Sequence, residues 1–418
     1  MINIIEIQNK LLNSLNRENS SIENKINDFF QRETISNIVN KDFFIKSIKN
    51  KQCKFYIGID PTKDKYHIGH LIPYICALKL LNLGCEGVIL VGGFTGQVGD
   101  PSFRNKERPL LNTEEVINNS NIFFENLKYL FRNHLEKLTF VNNKDWLEKM
   151  NLSEFLNFSN YISANKLLKM EHIKNQLDNE VHLSFKEVCY TLLQAIDFKI
   201  LYDNYKVNLQ IGGNDQWINI LNGVNLISKI NHKESIGITM KLLLTNEGKK
   251  MSKTEGGTIW ADRSLDIFEF WQYWRNVPDN QLKDMFYFFS FLSKDHIDLL
   301  LSIKTDENIN NCKIFLANEM VELIYGSGSI EKINNTLNNE EKAEEIFLNI
   351  IDNICDLLLA VNFINNKSEG KRHITGGAVK INNIKINEII IIDDLIKKFS
   401  KEFILQLGKN KKIKCKLI

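Results

Sequence analysis

Proline occurs only five times in the 418 residues, which excludes collagen-like and proline-rich architectures. Cysteine occurs seven times (Cys53, Cys76, Cys85, Cys189, Cys312, Cys355 and Cys415), scattered and never as a C-x-x-C pair. This odd, dispersed set argues for neither a zinc ribbon nor a redox motif and suits reduced thiols in a cytosolic-type compartment. No uncharged apolar run approaches the roughly eighteen residues that a transmembrane helix needs, so no membrane partner is expected. The N-terminal segment lacks the apolar stretch of a signal peptide, and its acids Glu6, Glu18, Glu23 and Asp28 are ones that a transit peptide avoids. A dominant charge is missing too, with 53 basic residues against 51 acidic ones. What is present is core material. Apolar residues make up 43% of the chain, enough for several domains and too many for a disordered polymer.

Residues 1–50 read as a polar lead-in with helical character. The β-prone run 55–59 is stopped by Asp60-Pro61-Thr62. Residues 68–83 carry apolar side chains at helical spacing and end at Gly84. The continuous apolar run 88–91 suits a buried parallel strand, completing a βαβ unit. Runs 138–141 and 208–211 are further strands, separated by helical stretches such as 152–158 and 185–202. After about Asp266 the strands stop, and 268–348 reads as all-helical, with a turn at Gly326-Ser327-Gly328. From about residue 350 two helices (352–361 and a basic one at 368–373) precede short strands of alternating Ile and Lys. The spacing therefore predicts an α/β fold: a Rossmann-type parallel-sheet domain over 51–267, preceded by the lead-in 1–50. An all-helical domain over 268–348 and a small α+β domain over 350–418 follow.

Two short segments carry chemistry. His67-Ile68-Gly69-His70 falls between the first strand and its helix, where ligands bind in open α/β sheets. Two imidazoles on the first helical turn can hydrogen-bond phosphate oxygens beside the free N–H groups of the helix start. Gly69 removes a Cβ, so that a flat base could lie on the backbone. Alone, the tetrapeptide is equally well read as two solvated histidines. Lys250-Met251-Ser252-Lys253-Thr254, bounded by Gly248 and Gly256-Gly257, makes a cationic loop able to stabilise a departing pyrophosphate. Alone, it is more often a solvated charge run. The pair in this order is far more specific than either part.

Together, these segments resemble the signature pair of class I aminoacyl-tRNA synthetases. Four further blocks narrow the resemblance to the bacterial-type tyrosyl-tRNA synthetases. They are Tyr56-x-Gly58-x-Asp60-Pro61-Thr62, the segment 91–102 (VGGFTGQVGDPS), the segment 190–198 (YTLLQAIDF) and the segment 209–217 (LQIGGNDQW). The family likeness implies that L-tyrosine and ATP form tyrosyl-adenylate and pyrophosphate, and that tyrosine then passes to the terminal ribose of tRNA(Tyr). It implies that the substrate phenol sits between Tyr56 and Asp197, and the α-amino group among Asp100, Tyr190 and Gln194. Gln216 would lie near the reacting carboxylate. Asp215 and the backbone of Gly213 would hold the ribose, with Gly58, Asp60, Gly69 and Met251 also around ATP. Catalysis would fall to His67, His70, Lys250, Lys253 and Thr254, with Arg104 and Arg108 meeting pyrophosphate. The glycines of 92–99 fit neither G-x-G-x-x-G nor a phosphate-binding Walker loop, and by resemblance form a close-approach loop beside the amino acid. Mg²⁺ is expected on the ATP phosphates, with no protein-bound metal or organic cofactor. A homodimer and a cytoplasmic location follow from the family alone. Ile57, Pro73, Phe103 and Ile218 depart from the family pattern.

The near-zero net charge is a sum of opposites. Residues 367–418 hold 13 basic and 5 acidic residues, leaving 40 basic and 46 acidic for the rest. A basic end on an acidic body fits phosphate-backbone binding. The helix carrying Lys371 and Arg372 resembles that of the small RNA-binding fold appended to bacterial tyrosyl-tRNA synthetases. Three rivals are weaker. A cofactor adenylyltransferase would be shorter, a tryptophan-specific relative would not need Tyr56 with Asp197, and an inactive RNA-binding relative would not need the full active-site set.

Overall fold

The structure, a computed structural model, describes residues 21–100, 113–168, 171–180, 183–243, 260–334, 345–348, 352–382, 384–399, 402–408 and 411–417. The chain divides into two compact units, within Met1–Ser327 and Gly328–Ile418.

The first unit is built on a six-stranded sheet. Its strands are β1 (Ile35–Val39), β2 (Lys54–Ile59), β3 (Glu86–Val91), β4 (Leu138–Asn142), β5 (Leu209–Gly213) and β6 (Ile236–Met240). The order is β1-β6-β5-β2-β3-β4. Strands β2 to β6 pair in parallel, and β1 joins β6 antiparallel. The inner strands are covered on both faces, which is why they read as unbroken apolar runs such as Val88–Val91. The helix Ile68–Asn82 buries ten side chains around its circumference, as a helix packed on several sides must. It stops where Gly84 takes φ +89°, a conformation that glycine adopts without a Cβ penalty.

Two strands of this unit escape the sequence reading. The lead-in is not simply helical, because β1 lies between its helices Ile22–Gln31 and Lys41–Lys49 and becomes a sheet edge. Its core Ser36-Asn37 breaks the apolar alternation that marks a strand. β6 is fully buried, but Gly237 interrupts its apolar run; a Cβ there would lie 2.4 Å from Ile220.

The helices Ile267–Arg275, Leu282–Phe289, Lys294–Ser302 and Asp306–Tyr325 belong to the first unit. Lys79, on the helix that begins with Ile68, donates to the carbonyls of Tyr287 (3.1 Å) and Phe288 (2.9 Å). Buried Arg32 donates to that of Ser290 (2.9 Å). The Lys79 amine and the Arg32 guanidinium thus donate to the carbonyl end of Leu282–Phe289 and tie it to the sheet domain.

The second unit carries β7 (Glu345–Leu348), β8 (Val379–Ile381), β9 (Ile384–Ile386), β10 (Glu402–Leu407) and β11 (Lys411–Leu417), ordered β7-β11-β10-β8-β9. All pairs are antiparallel except β11 with β7. Strand β7 falls inside the stretch read from sequence as all-helical. Its partner is some seventy residues away (Glu345 opposite Lys414), so no local signal announces it. The helices Ile354–Ala360, Lys367–Thr375 and Ile392–Phe399 supply the rest of a core containing Leu357, Ile374, Val379, Leu395, Leu405 and Cys415.

Candidate active site

Strand β2 lies between β3, reached through the helix Ile68–Asn82, and β5, reached much later in the chain. The connections diverge there, and in open α/β sheets ligands bind in the crevice outside the carboxyl ends of the strands at such a switch point. Asp60 and His67–His70 follow β2, Gly92–Asp100 follows β3, Asn143 and Trp146 follow β4, and Gly213–Gln216 closes β5. The helix Phe185–Tyr205 adds Tyr190, Gln194 and Asp197. The three recur at 190, 194 and 197 because a helix returns to one face every three or four residues.

One end of the crevice is dry. Asp197 is 2% exposed, and its two oxygens accept from Asn143 Nδ2 (2.9 Å) and Trp146 Nε1 (2.7 Å). Burial pushes its carboxyl up from 3.8 to about 7, against those two hydrogen bonds, which pull it down. Burial thus makes Asp197 hold its proton far more readily than an exposed aspartate does. The network continues outward. Asn143 Nδ2 also donates to Thr95 Oγ1 (2.8 Å), and Thr95 Oγ1 donates to Asp60 Oδ1 (2.7 Å). Tyr190 Oη donates to Asp60 Oδ2 (2.8 Å). Tyr56 is 1% exposed, packed on Phe198 with ring centroids 5.2 Å apart. Burial and the Asp197 charge hold its phenol well above the usual range, so it stays protonated. Its hydroxyl has no hydrogen-bond partner among the described residues, and neither does Gln194 Oε1. A buried polar atom left so is costly unless a ligand completes it.

The other end is more open. His67 caps the helix, its Nδ1 accepting from Gly69 N (3.1 Å), while His70 Nδ1 lies 3.4 Å from His67 N. The rings stack at 3.9 Å. With each Nδ1 turned to a backbone N–H, the neutral rings carry their protons on Nε2 and present donors. Gly69 gives this fold-back room, since a Cβ would lie 3.0 Å from the His67 ring, which would have to shift by a few tenths of an ångström. The expected purpose of that glycine, room for a flat base, is thus met first by the protein's own imidazole. The same holds at Gly92, where a Cβ would strike Asp60 Oδ1 (2.1 Å) and Thr95 Oγ1 (2.3 Å). That glycine makes room for the polar network. Beyond β5, Gln216 Nε2 donates to Asp100 Oδ2 (2.6 Å). Asn219 Nδ2 donates to Gln216 Oε1 (3.1 Å), and Thr191 Oγ1 to Asn219 Oδ1 (2.9 Å). Gly58 is exposed on a central strand, an opening in the sheet surface at the switch point.

Arg104, Arg108, Lys250, Met251, Lys253 and Thr254 lie outside the described residues. The described flank of the second motif does reach the first, since Trp260 bridges to His67 and Ala261 N donates to Tyr66 O (2.8 Å). Lys371 and Arg372 are exposed on Lys367–Thr375, in the second unit. Sequence reasoning missed Asn143 and Trp146 as partners of Asp197. Only their place just after a β-strand could have signalled them, and that requires knowing that β4 belongs to the same sheet. Among the described residues, no group of three or more His, Cys, Asp or Glu side chains is arranged to hold a metal ion, and no helix is long and apolar enough to cross a membrane.

Residues 48–340 match the family model described as tRNA synthetases class I (W and Y). A protein of Pelagibacter ubique named tyrosine--tRNA ligase is 35% identical over 393 residues, 89% of this chain and 94% of that protein. One of the same name from Malacoplasma penetrans is 36% identical over 383 residues, covering 87% and 92%. Among solved structures, a C-terminally truncated mitochondrial tyrosyl-tRNA synthetase of Aspergillus nidulans matches with TM-score 0.68 at 25% identity, covering 79% of this chain and 97% of that one.

Proposed function

The chain belongs to the class I tRNA synthetases of the tryptophan and tyrosine family, and from that premise we propose how its own residues carry out tyrosyl-tRNA synthesis. Its activity is that of a tyrosine--tRNA ligase, with tyrosine, ATP and tRNA as substrates. An oxygen of the tyrosine carboxylate attacks the α-phosphorus of ATP, and pyrophosphate leaves with the bonding electrons. A ribose hydroxyl of the tRNA end then attacks the carbonyl of the mixed anhydride, and AMP leaves. Neither step needs a covalent enzyme intermediate, so catalysis rests on positioning and on charge stabilisation.

The substrate phenol donates to Asp197 and accepts from Tyr56, and its ammonium group meets Gln194, Tyr190 and Asp100. The buried, unpartnered Tyr56 hydroxyl beside buried Asp197 carries this reading. Tryptophan's indole has a donor but no acceptor to return, so it would leave the Tyr56 hydroxyl unmatched. His67 and His70 donate from Nε2 to phosphate oxygens. Lys250, Lys253, Thr254, Arg104 and Arg108 stabilise the departing pyrophosphate, and Asp215 with Gly213 holds the ribose. Gly58, Asp60, Gly69 and Met251 surround the nucleotide. Mg²⁺ arrives on the triphosphate and neutralises part of its charge.

Residues 268–348 serve the anticodon side of the tRNA, and 350–418 hold RNA through a basic surface that includes Lys371 and Arg372. The enzyme works as a homodimer in the cytoplasm, where its tRNA is found. Supporting the dimer, Leu152 (73% exposed), Leu156, Leu168, Leu177 and Phe185 (79% exposed) crowd apolar surface onto one stretch of chain. The test is amino-acid-dependent ATP–pyrophosphate exchange across all twenty amino acids. Exchange with tyrosine alone is expected, and exchange with tryptophan alone, or with none, would overturn the reading.

A further inference from the structure

The lead-in strand β1 runs opposite to its neighbours, so its first residues lie at the carboxyl edge of the sheet, with Ile35 opposite Met240. The register shifts between Ile35 and Asn37. In a regular strand Ser36 and Asn37 would face opposite sides of the sheet. A bulge removes that alternation and re-aims a side chain. Here both residues reach one atom: Ser36 Oγ and Asn37 Nδ2 each donate to Asn214 Oδ1 at 2.8 Å. Asn37 Nδ2 also lies 3.2 Å from Thr239 Oγ1 on the neighbouring strand.

Asn214 opens the single turn Asn214–Gln216 that follows β5 and carries Asp215. The Asp215 carboxylate folds back over Gly213, where an added Cβ would come within 2.5 Å of its Oδ1. The two bonds to Asn214 are not needed to hold β1 in place. Its ladder to β6, Lys241 N to Thr34 O (2.8 Å) and Asn40 Nδ2 to Ser235 O (2.7 Å) already do so.

We propose that Ser36 and Asn37 are positioning residues for ATP: through Asn214 they fix the turn that presents Asp215 to the nucleotide ribose. The inference rests on the assignment of Asp215 to the ribose. It gives the lead-in a part in the reaction, since its bulge pre-organises a nucleotide contact made from the turn after β5.

The experiment compares the full chain with Ser36→Ala/Asn37→Ala, Asn37→Ala and Asp215→Ala variants in tyrosine-dependent ATP–pyrophosphate exchange. ATP, 2′-deoxy-ATP and 3′-deoxy-ATP serve as nucleotides. Losing the clamp should raise KM for ATP roughly fivefold, the size of two ordinary hydrogen bonds acting through a third residue, and leave KM for tyrosine unchanged. The preference for ATP over whichever deoxy analogue Asp215→Ala ceases to distinguish should shrink in the clamp variants. If Asp215→Ala abolishes that preference while the clamp variants keep it in full, the clamp is refuted and the ribose contact stands. If Asp215→Ala itself leaves every preference intact, the ribose assignment fails and the inference goes with it. An equal rise in both KM values, or a lower melting temperature with unchanged kinetics, would reduce Ser36 and Asn37 to a structural staple and overturn the proposal.

Discussion

At the Asp197 end of the crevice, side chains from the segments after β2, β3 and β4 and from one long helix converge in a hydrogen-bonded chain, with the unpartnered Tyr56 hydroxyl of β2 buried beside it. At the His67 end, backbone N–H groups orient two half-buried, stacked imidazoles through their Nδ1 atoms. Under the proposed function, the difference follows from what each end would handle. A neutral phenol is recognised by matching one donor and one acceptor, which discriminates strongly only where water is excluded. A triphosphate brings charge that changes during the reaction, and donors fixed in place beforehand would stabilise it.

This contrast can be broken by substitution. Asp197→Ala should be the severest change, lowering kcat/KM for tyrosine roughly a thousandfold, because it removes a charged acceptor and strands Asn143 and Trp146. Pyrophosphate exchange measures it, and discrimination against phenylalanine should collapse in parallel. Unchanged discrimination would remove Asp197 from phenol recognition. His70→Ala should lower kcat about a hundredfold with KM for tyrosine nearly constant, the pattern of a donor that acts on transition-state charge. A change confined to KM for tyrosine would erase the division between the two ends.

Asn143→Ala should raise KM for tyrosine about tenfold and also move a pH profile. Asp197 binds the phenol as a carboxylate, so KM for tyrosine should rise as pH falls through about 7. The Asn143 hydrogen bond lowers the pKa of that carboxyl, so its loss should shift the inflection to higher pH. A profile that stays put would mean that Asn143 does not govern the ionisation. Tyr56→Phe is the subtlest test. It deletes a buried, unpartnered hydroxyl, so the unliganded protein should gain about 1 kcal/mol and melt at a higher temperature. Tyrosine binding should weaken a few-fold at the same time. A melting temperature that falls would show the hydroxyl to be satisfied within the protein.

The legible parts of this fold are those with a local physical signal. Strand β3 and the helix Ile68–Asn82 stand out because burial on several sides demands unbroken apolar sequence or helical spacing, and β2, β4 and β5 because short β-prone runs end in Asp-Pro, Asn-Asn or Gly-Gly turn residues. Strands β1 and β7 had no such signal, since their stability lies in pairing with distant segments. The site divides the same way. Tyr56, His67, His70 and Asp197 were found through the motifs around them, whereas Asn143, Trp146 and the Ser36–Asn37–Asn214 contact belong to no motif.

By itself, then, the sequence determined the residue types that the chemistry requires and their order along a parallel α/β chain. It determined as well that a near-neutral total hides a basic end on an acidic body. Only the tertiary structure decided which of those residues share a dry pocket, which face of Asp197 each donor meets, and that an edge strand of the lead-in reaches Asn214. The physical reason is range. Apolar periodicity and turn chemistry act over a few residues, whereas a carboxylate held near neutrality needs burial and donors from segments about fifty residues apart.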